Sequence, residues 1–119
     1  MKLGKWVVVL GCLAGCSEAG ADTRTAYNRA TECQVFTTLV AHYDPHATEE
    51  LRSRMNDAKI AYYDEATRQG VALGLREEAM NADKLRYFEG VQDRVRQVGT
   101  VPGSKEIQDS AQKCLGERP

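Results

Sequence analysis

The chain carries few residues that could do chemistry. Its two histidines, His42 and His46, flank Asp44 in a His-x-Asp-x-His triplet. All three residue types can ligate a metal, and imidazole suits zinc or copper. The triplet straddles Asp44-Pro45, however, where a helix break is predicted, and no further strong ligand stands nearby. A solvated turn is therefore the default reading, and no metal or other cofactor is assigned. Tyr62-Tyr63 is the other notable pair. Neighbouring helical positions are turned by about 100°, so one ring is expected to face the core and the other to be partly exposed, where a tyrosine can anchor an interface.

The catalytic signatures are missing. Leu39 and Tyr43 hold the positions three before the histidines, so there is no Glu-x-x-His of a di-iron bundle. There is no His-Glu-x-x-His, no Cys-x-x-Cys and no Cys-x-x-Cys-His. Gly70 and Gly74 lack a P-loop lysine. No serine sits in a glycine-flanked elbow, and no nucleophile is placed beside a base. The many carboxylates suggest no particular pair. Arg52-Ser53-Arg54 and Arg94-Val95-Arg96 are balanced by nearby acids, as on a solvated helix face. An enzyme is not expected.

Composition bounds the rest. The chain has 119 residues, 16 Lys+Arg against 17 Asp+Glu, 42% hydrophobic and 28% charged residues. That is one domain at most, with the balance of an ordinary globular chain. It excludes a polytopic membrane protein, a collagen-like repeat and a basic nucleic-acid tail, and it argues against disorder.

The N-terminus reads differently from the remainder. Lys2 and Lys5 precede residues 6–14, which carry no charge. This is the n-region and h-region of an export signal, too short for a transmembrane helix of about 20 residues. It ends in Leu13-Ala14-Gly15-Cys16. This tetrad resembles the lipobox of bacterial lipoproteins, with all four positions matching. The resemblance implies that the Cys16 thiol receives a diacylglyceryl group. Cleavage then falls just before Cys16, and its new amine is acylated. Ser17 follows where an Asp would imply inner-membrane retention in enterobacterial lipoproteins, so Ser17 implies outer-membrane sorting. The implied organisation is a signal peptide over 1–15, a lipidated tether over 16–24 and a helical domain over 25–119. The implied location is the cell envelope, on the outer membrane facing the periplasm, with the membrane engaged through the lipid.

Other readings of this segment stay open. Ala19-Gly20-Ala21 fits the small-x-small site of ordinary secretion, which would release a soluble periplasmic protein beginning at Asp22. Val9-Leu10-Gly11-Cys12 is a second lipobox-like run, but it leaves an apolar stretch of only about six residues. A buried N-terminal helix is the purely structural reading.

Both export readings leave Cys33 and Cys114, an even pair in an oxidising compartment. Without Lys2 and Lys5 the 16 cations become 14 against 17 acids, a net charge of −3. A mildly acidic surface has no electrostatic reason to bind nucleic acid or anionic lipid. Trp6, the only tryptophan, leaves with the signal.

The mature chain reads as helices, with no proline between Pro45 and Pro102 and plentiful Ala, Glu, Arg, Leu and Gln. Helix 1 is expected from Thr25 to Tyr43, with Ala26, Ala30, Cys33, Phe36, Val40 and Tyr43 as its stripe. Asp44 is expected to cap helix 2, with Pro45 as its first residue and Glu49 and Glu50 at the positive end. Leu51, Met55, Ala58, Tyr62 and Ala66 form its apolar face. Its end falls either at Gly70 or at Gly74 through a Schellman turn with Leu75. Helix 3 is expected from Arg76 to before Gly99, with Leu75, Ala79, Ala82, Leu85, Phe88, Val91, Val95 and Val98 inward. Val101-Pro102-Gly103 makes a turn, and Ser104 caps a short helix through Ile107, Ala111, Cys114 and Leu115. Short turns imply antiparallel neighbours. The expected fold is all-α: a small up-and-down bundle of three main helices plus a short C-terminal helix, stapled by one disulfide between Cys33 and Cys114.

Three roles fit these features. The first is a lipid-anchored interaction or structural protein with an envelope protein as partner. The second, by analogy of fold alone, is a protective binder, such as a hydrolase inhibitor or immunity-type protein. The third resembles small helical periplasmic chaperones with one disulfide, without a motif to support it.

Overall fold

The structure, a computed structural model, describes the backbone of residues 2–98 and 105–118 and the side chains of residues 21–94 and 105–118. Four helices follow one another: α1 (Lys2–Tyr43), α2 (Glu49–Ala72), α3 (Glu77–Val98) and α4 (Lys105–Gly116). Among the described residues there is no strand, and no helix is long and apolar enough to cross a membrane. The helices alternate in direction, giving the expected small bundle of three main helices and a shorter fourth. The first helix extends further than the stripe beginning at Thr25 required. Its backbone is helical from Lys2, and residues 17–24, read as a tether, continue it. No proline interrupts this stretch, and alanines flank Gly20.

α1 is the hub. It packs most extensively on α2, less on α4 and least on α3. Its buried residues therefore go round the helix rather than along one stripe: Tyr27, Thr31, Val35, Phe36, Leu39 and Val40 are all buried. Thr31 and Thr37 tolerate burial because their hydroxyls donate to carbonyls one turn back, on Tyr27 at 2.9 Å and Cys33 at 2.7 Å. Val40, Met55, Val91, Ile107 and Ala111 share one core cluster, and Ala30, Cys33, Ala58, Tyr62 and Cys114 share a second. Tyr43, expected inward, is 57% exposed and meets Phe88 edge-on at 6.3 Å.

The turn into α2 departs from the expected cap. Thr48 is the N-cap, accepting from the Leu51 N–H at 3.1 Å. Asp44 lies four residues earlier, and its Oδ1 accepts from the His46 N–H at 2.8 Å, an Asx turn. Arg52 holds the same turn from below, donating to the carbonyls of Asp44 at 2.7 Å and Ala47 at 3.1 Å. Glu49 and Glu50 occupy the first turn as expected.

At the other end of α2 the ambiguity between two glycines is resolved. Gly74 has φ +75°. The Leu75 N–H reaches the Gly70 carbonyl and the Gly74 N–H the Val71 carbonyl, both at 2.9 Å. These are the two bonds of a Schellman turn. Gly70 lies inside the helix.

The α3 register differs from the apolar spacing. Val91 is buried and Leu75 and Phe88 are partly buried, as the stripe requires, but Ala79 and Ala82 are exposed, Leu85 is 57% exposed, and Met80 and Tyr87 turn inward in their place. The inward face contains Asp83, which the Tyr27 hydroxyl satisfies at 2.7 Å. A polar residue with a buried partner can sit where apolar periodicity places an alanine. Val95 and Val98 of the expected stripe, the turn at 101–103 and the Ser104 cap lie outside the described side chains. In α4, Ile107, Ala111 and Cys114 are buried as expected, with Leu115 partly so.

Candidate functional site

The predicted residues are distributed over separate places. Cys16 and Ser17 lie on the helical backbone of α1, outside the described side chains, as do Cys12, Ala19 and Gly20, whereas Ala21 is described and exposed. Cys33 and Cys114 meet at bonding distance, both wholly buried, with Cα atoms 5.4 Å apart, inside the range a disulfide requires.

His42 and His46 are exposed, and Asp44 between them is buried. His42 Nε2 lies 3.0 Å from Lys59 Nζ. Asp44 Oδ1 is held by the His46 backbone, and Oδ2 lies 3.4 Å from Gln108 Nε2. The triplet is a buried-acid turn that joins α1 to α4. Among the described residues no group of three or more His, Cys, Asp or Glu is placed to hold a metal.

Tyr62 and Tyr63 separate as their spacing implies. Tyr62 is buried, and its hydroxyl donates to the Cys114 carbonyl. Burial pushes its phenol pKa up, so it remains a donor. Tyr63 is 48% exposed, with Lys84 Nζ 4.4 Å from its ring centre. Burial lowers the Lys84 pKa.

The C-terminal end of α4 is thus fastened to the hub. The disulfide ties it to α1, Tyr62 ties it to α2, and Arg29 donates to Glu117 Oε2 through Nε at 3.1 Å and Nη2 at 2.6 Å. Arg29 also pairs with Glu32 at 2.9 Å.

A concavity stands apart, lined by none of the candidate site residues that the sequence marks. Because α3 packs loosely on α1, a cleft of about 580 Å³ opens between them, within the size range of small-molecule sites. Val35, Phe36 and Val91 are its buried apolar floor, with Tyr87 partly buried beside them. One end carries Arg24, Asp83 and Arg86, and the same wall continues through Gly90 to Arg94. Asp83 accepts from Tyr27 and pairs with Arg86. Burial raises the Tyr27 and Tyr87 phenol pKa values, so both rings stay neutral. The available signal was Gly90, a glycine in mid-helix with no turn to make. No family model, no curated protein and no solved structure matches the chain.

Proposed function

We propose that the chain is a small lipid-anchored protein of the bacterial cell envelope with a non-enzymatic interaction or structural role. The observation that carries this is Leu13-Ala14-Gly15-Cys16 directly after the uncharged run 6–14. The Cys33–Cys114 bond supports it, since disulfides persist in oxidising compartments such as the periplasm. The fastening of the short α4 to the hub also supports it: a domain of this size outside the cell gains from a covalent staple. A binding role is favoured over catalysis by the placement of the histidines. Both are exposed, His42 in the last turn of α1 against Lys59 and His46 on the α1–α2 turn, and neither lines the cleft.

Fractionation tests the reading. Wild-type protein is expected in the membrane fraction and Cys16→Ala in the soluble fraction or unprocessed. Wild-type protein recovered soluble with Asp22 at its N-terminus would establish ordinary secretion instead. Cross-linking in intact envelopes then addresses the role, with one stoichiometric envelope protein expected rather than a broad set of clients.

A further inference from the structure

Two helical glycines behave in opposite ways. A Cβ at Gly70 would crowd Met80 and lie 3.1 Å from Tyr27 Cε1, so close packing of α1, α2 and α3 requires the glycine. A Cβ at Gly90 would meet nothing within 4 Å. Glycine in a helix interior costs about 1 kcal/mol relative to alanine, and at position 90 no neighbour needs it. What it preserves is open space in the wall of the α1–α3 cleft.

The charges of that cleft are unevenly matched. Arg24, Arg86 and Arg94 line it against two carboxylates, Glu32 and Asp83. Glu32 is paired with Arg29, which is not part of the lining, and Asp83 is shared between Arg86 and the Tyr27 hydroxyl. Arg94 stands 3.8 Å from Glu106. Arg24 rests 5.8 Å from the Tyr27 ring centre and has no carboxylate partner among the described residues. The cleft is therefore apolar along its floor, and its Arg24–Asp83–Arg86 end carries one cation in excess, Arg24, since Asp83 offsets Arg86.

We propose that this cleft binds a single-chain amphiphilic anion. The alkyl body lies on Val35, Phe36, Tyr87 and Val91 beside Gly90, and the anionic head, a carboxylate or phosphate, is taken by Arg24, with Arg86 adding a second guanidinium while it keeps its pair with Asp83. The guanidinium fork suits either head bidentately. Apolar burial supplies affinity while the charged end sets orientation. The proposal stands whether or not Cys16 is acylated.

The test uses the full chain in a neutral detergent, titrated with octanoate, octyl phosphate, octyltrimethylammonium and inorganic phosphate. The Gly90 and Tyr87 amide signals are followed by NMR. Both anionic amphiphiles are expected to saturate at one per chain, and whichever binds more tightly identifies the head. The cationic amphiphile and inorganic phosphate should bind at least about tenfold more weakly. Arg24→Gln should weaken octyl anions at least about tenfold, through loss of its charge-assisted contact with the head. Gly90→Trp should fill the cleft and abolish binding, read at Tyr87, with the melting temperature kept within a few degrees. Four results would overturn the proposal: no saturable shift, equal binding of the cationic amphiphile, equal binding of phosphate alone, or unchanged affinity in a folded Gly90→Trp variant.

Discussion

The Tyr62 hydroxyl donates to the carbonyl of Cys114, the residue whose sulfur is bonded to Cys33. One residue near the end of α4 is thus held covalently by α1 and by a hydrogen bond from α2. Helix α4 has only 12 residues, a length that is marginal for an isolated helix in water. Its order depends on these fastenings.

Reduction of the disulfide, or a Cys33→Ser/Cys114→Ser double change, should lower stability substantially. The bond closes a sequence separation of 81 residues, which in the chain-entropy treatment constrains the unfolded state by about 4.5 kcal/mol. Hydrogen exchange should show residues 105–116 losing protection first. Unchanged protection across α4 on reduction would contradict the fastening.

Tyr62→Phe removes the donor while keeping the ring. The Cys114 carbonyl retains the Glu117 N–H at 3.2 Å, so the expected loss is about 1 kcal/mol. Because Tyr62 and the disulfide act on the same residue, their effects should not add, and a double-mutant cycle by thermal unfolding measures the coupling.

Gly70→Val and Gly90→Ala should move stability in opposite directions. The first forces side chain into Met80 and Tyr27, an overpacking cost of about 1–3 kcal/mol. The second adds a methyl in open space and should gain up to about 1 kcal/mol of helix propensity. Urea midpoints of the two variants check the contrast.

The Arg29–Glu117 pair gives a pH signature. The hydrogen bond from Arg29 holds the Glu117 carboxyl below its usual pKa. A lowered folded-state pKa makes the contribution fully present above the ordinary glutamate pKa. It is lost as pH falls through the lowered value. The pair is exposed, so the effect is small and screened by salt. Comparing wild type with Glu117→Gln between neutral and acidic pH, the stability difference should shrink towards low pH.

Most of the fold was legible because burial followed apolar spacing in α2 and α4. Met55, Ala58, Tyr62 and Ala66, and then Ile107, Ala111 and Cys114, are the inward residues that periodicity marks. In α3 two faces compete. Val91 and Phe88 of the apolar stripe do pack inward, but in the first half of the helix Met80 against Gly70 and Asp83 bonded to Tyr27 take the inward positions that Ala79, Ala82 and Leu85 were expected to hold. Such a long-range hydrogen bond leaves no trace in local spacing. The same holds for the cleft, whose guanidinium-lined end comes from Arg24 and Arg86, 62 positions apart in the chain. At the α1–α2 turn, Asp44 and Thr48 are both good caps by type. Only the chain path decides that Thr48 starts the helix and Asp44 closes the turn before it.

Anchoring through Cys16 can be read from the mass of the N-terminal peptide of membrane-purified protein. The expected peptide begins at Cys16 and carries a diacylglyceryl group and an acylated amine. No tryptophan fluorescence is expected from the intact protein, since Trp6 has been removed. An unmodified peptide beginning at Asp22, or one that still contains Trp6, would contradict this anchoring.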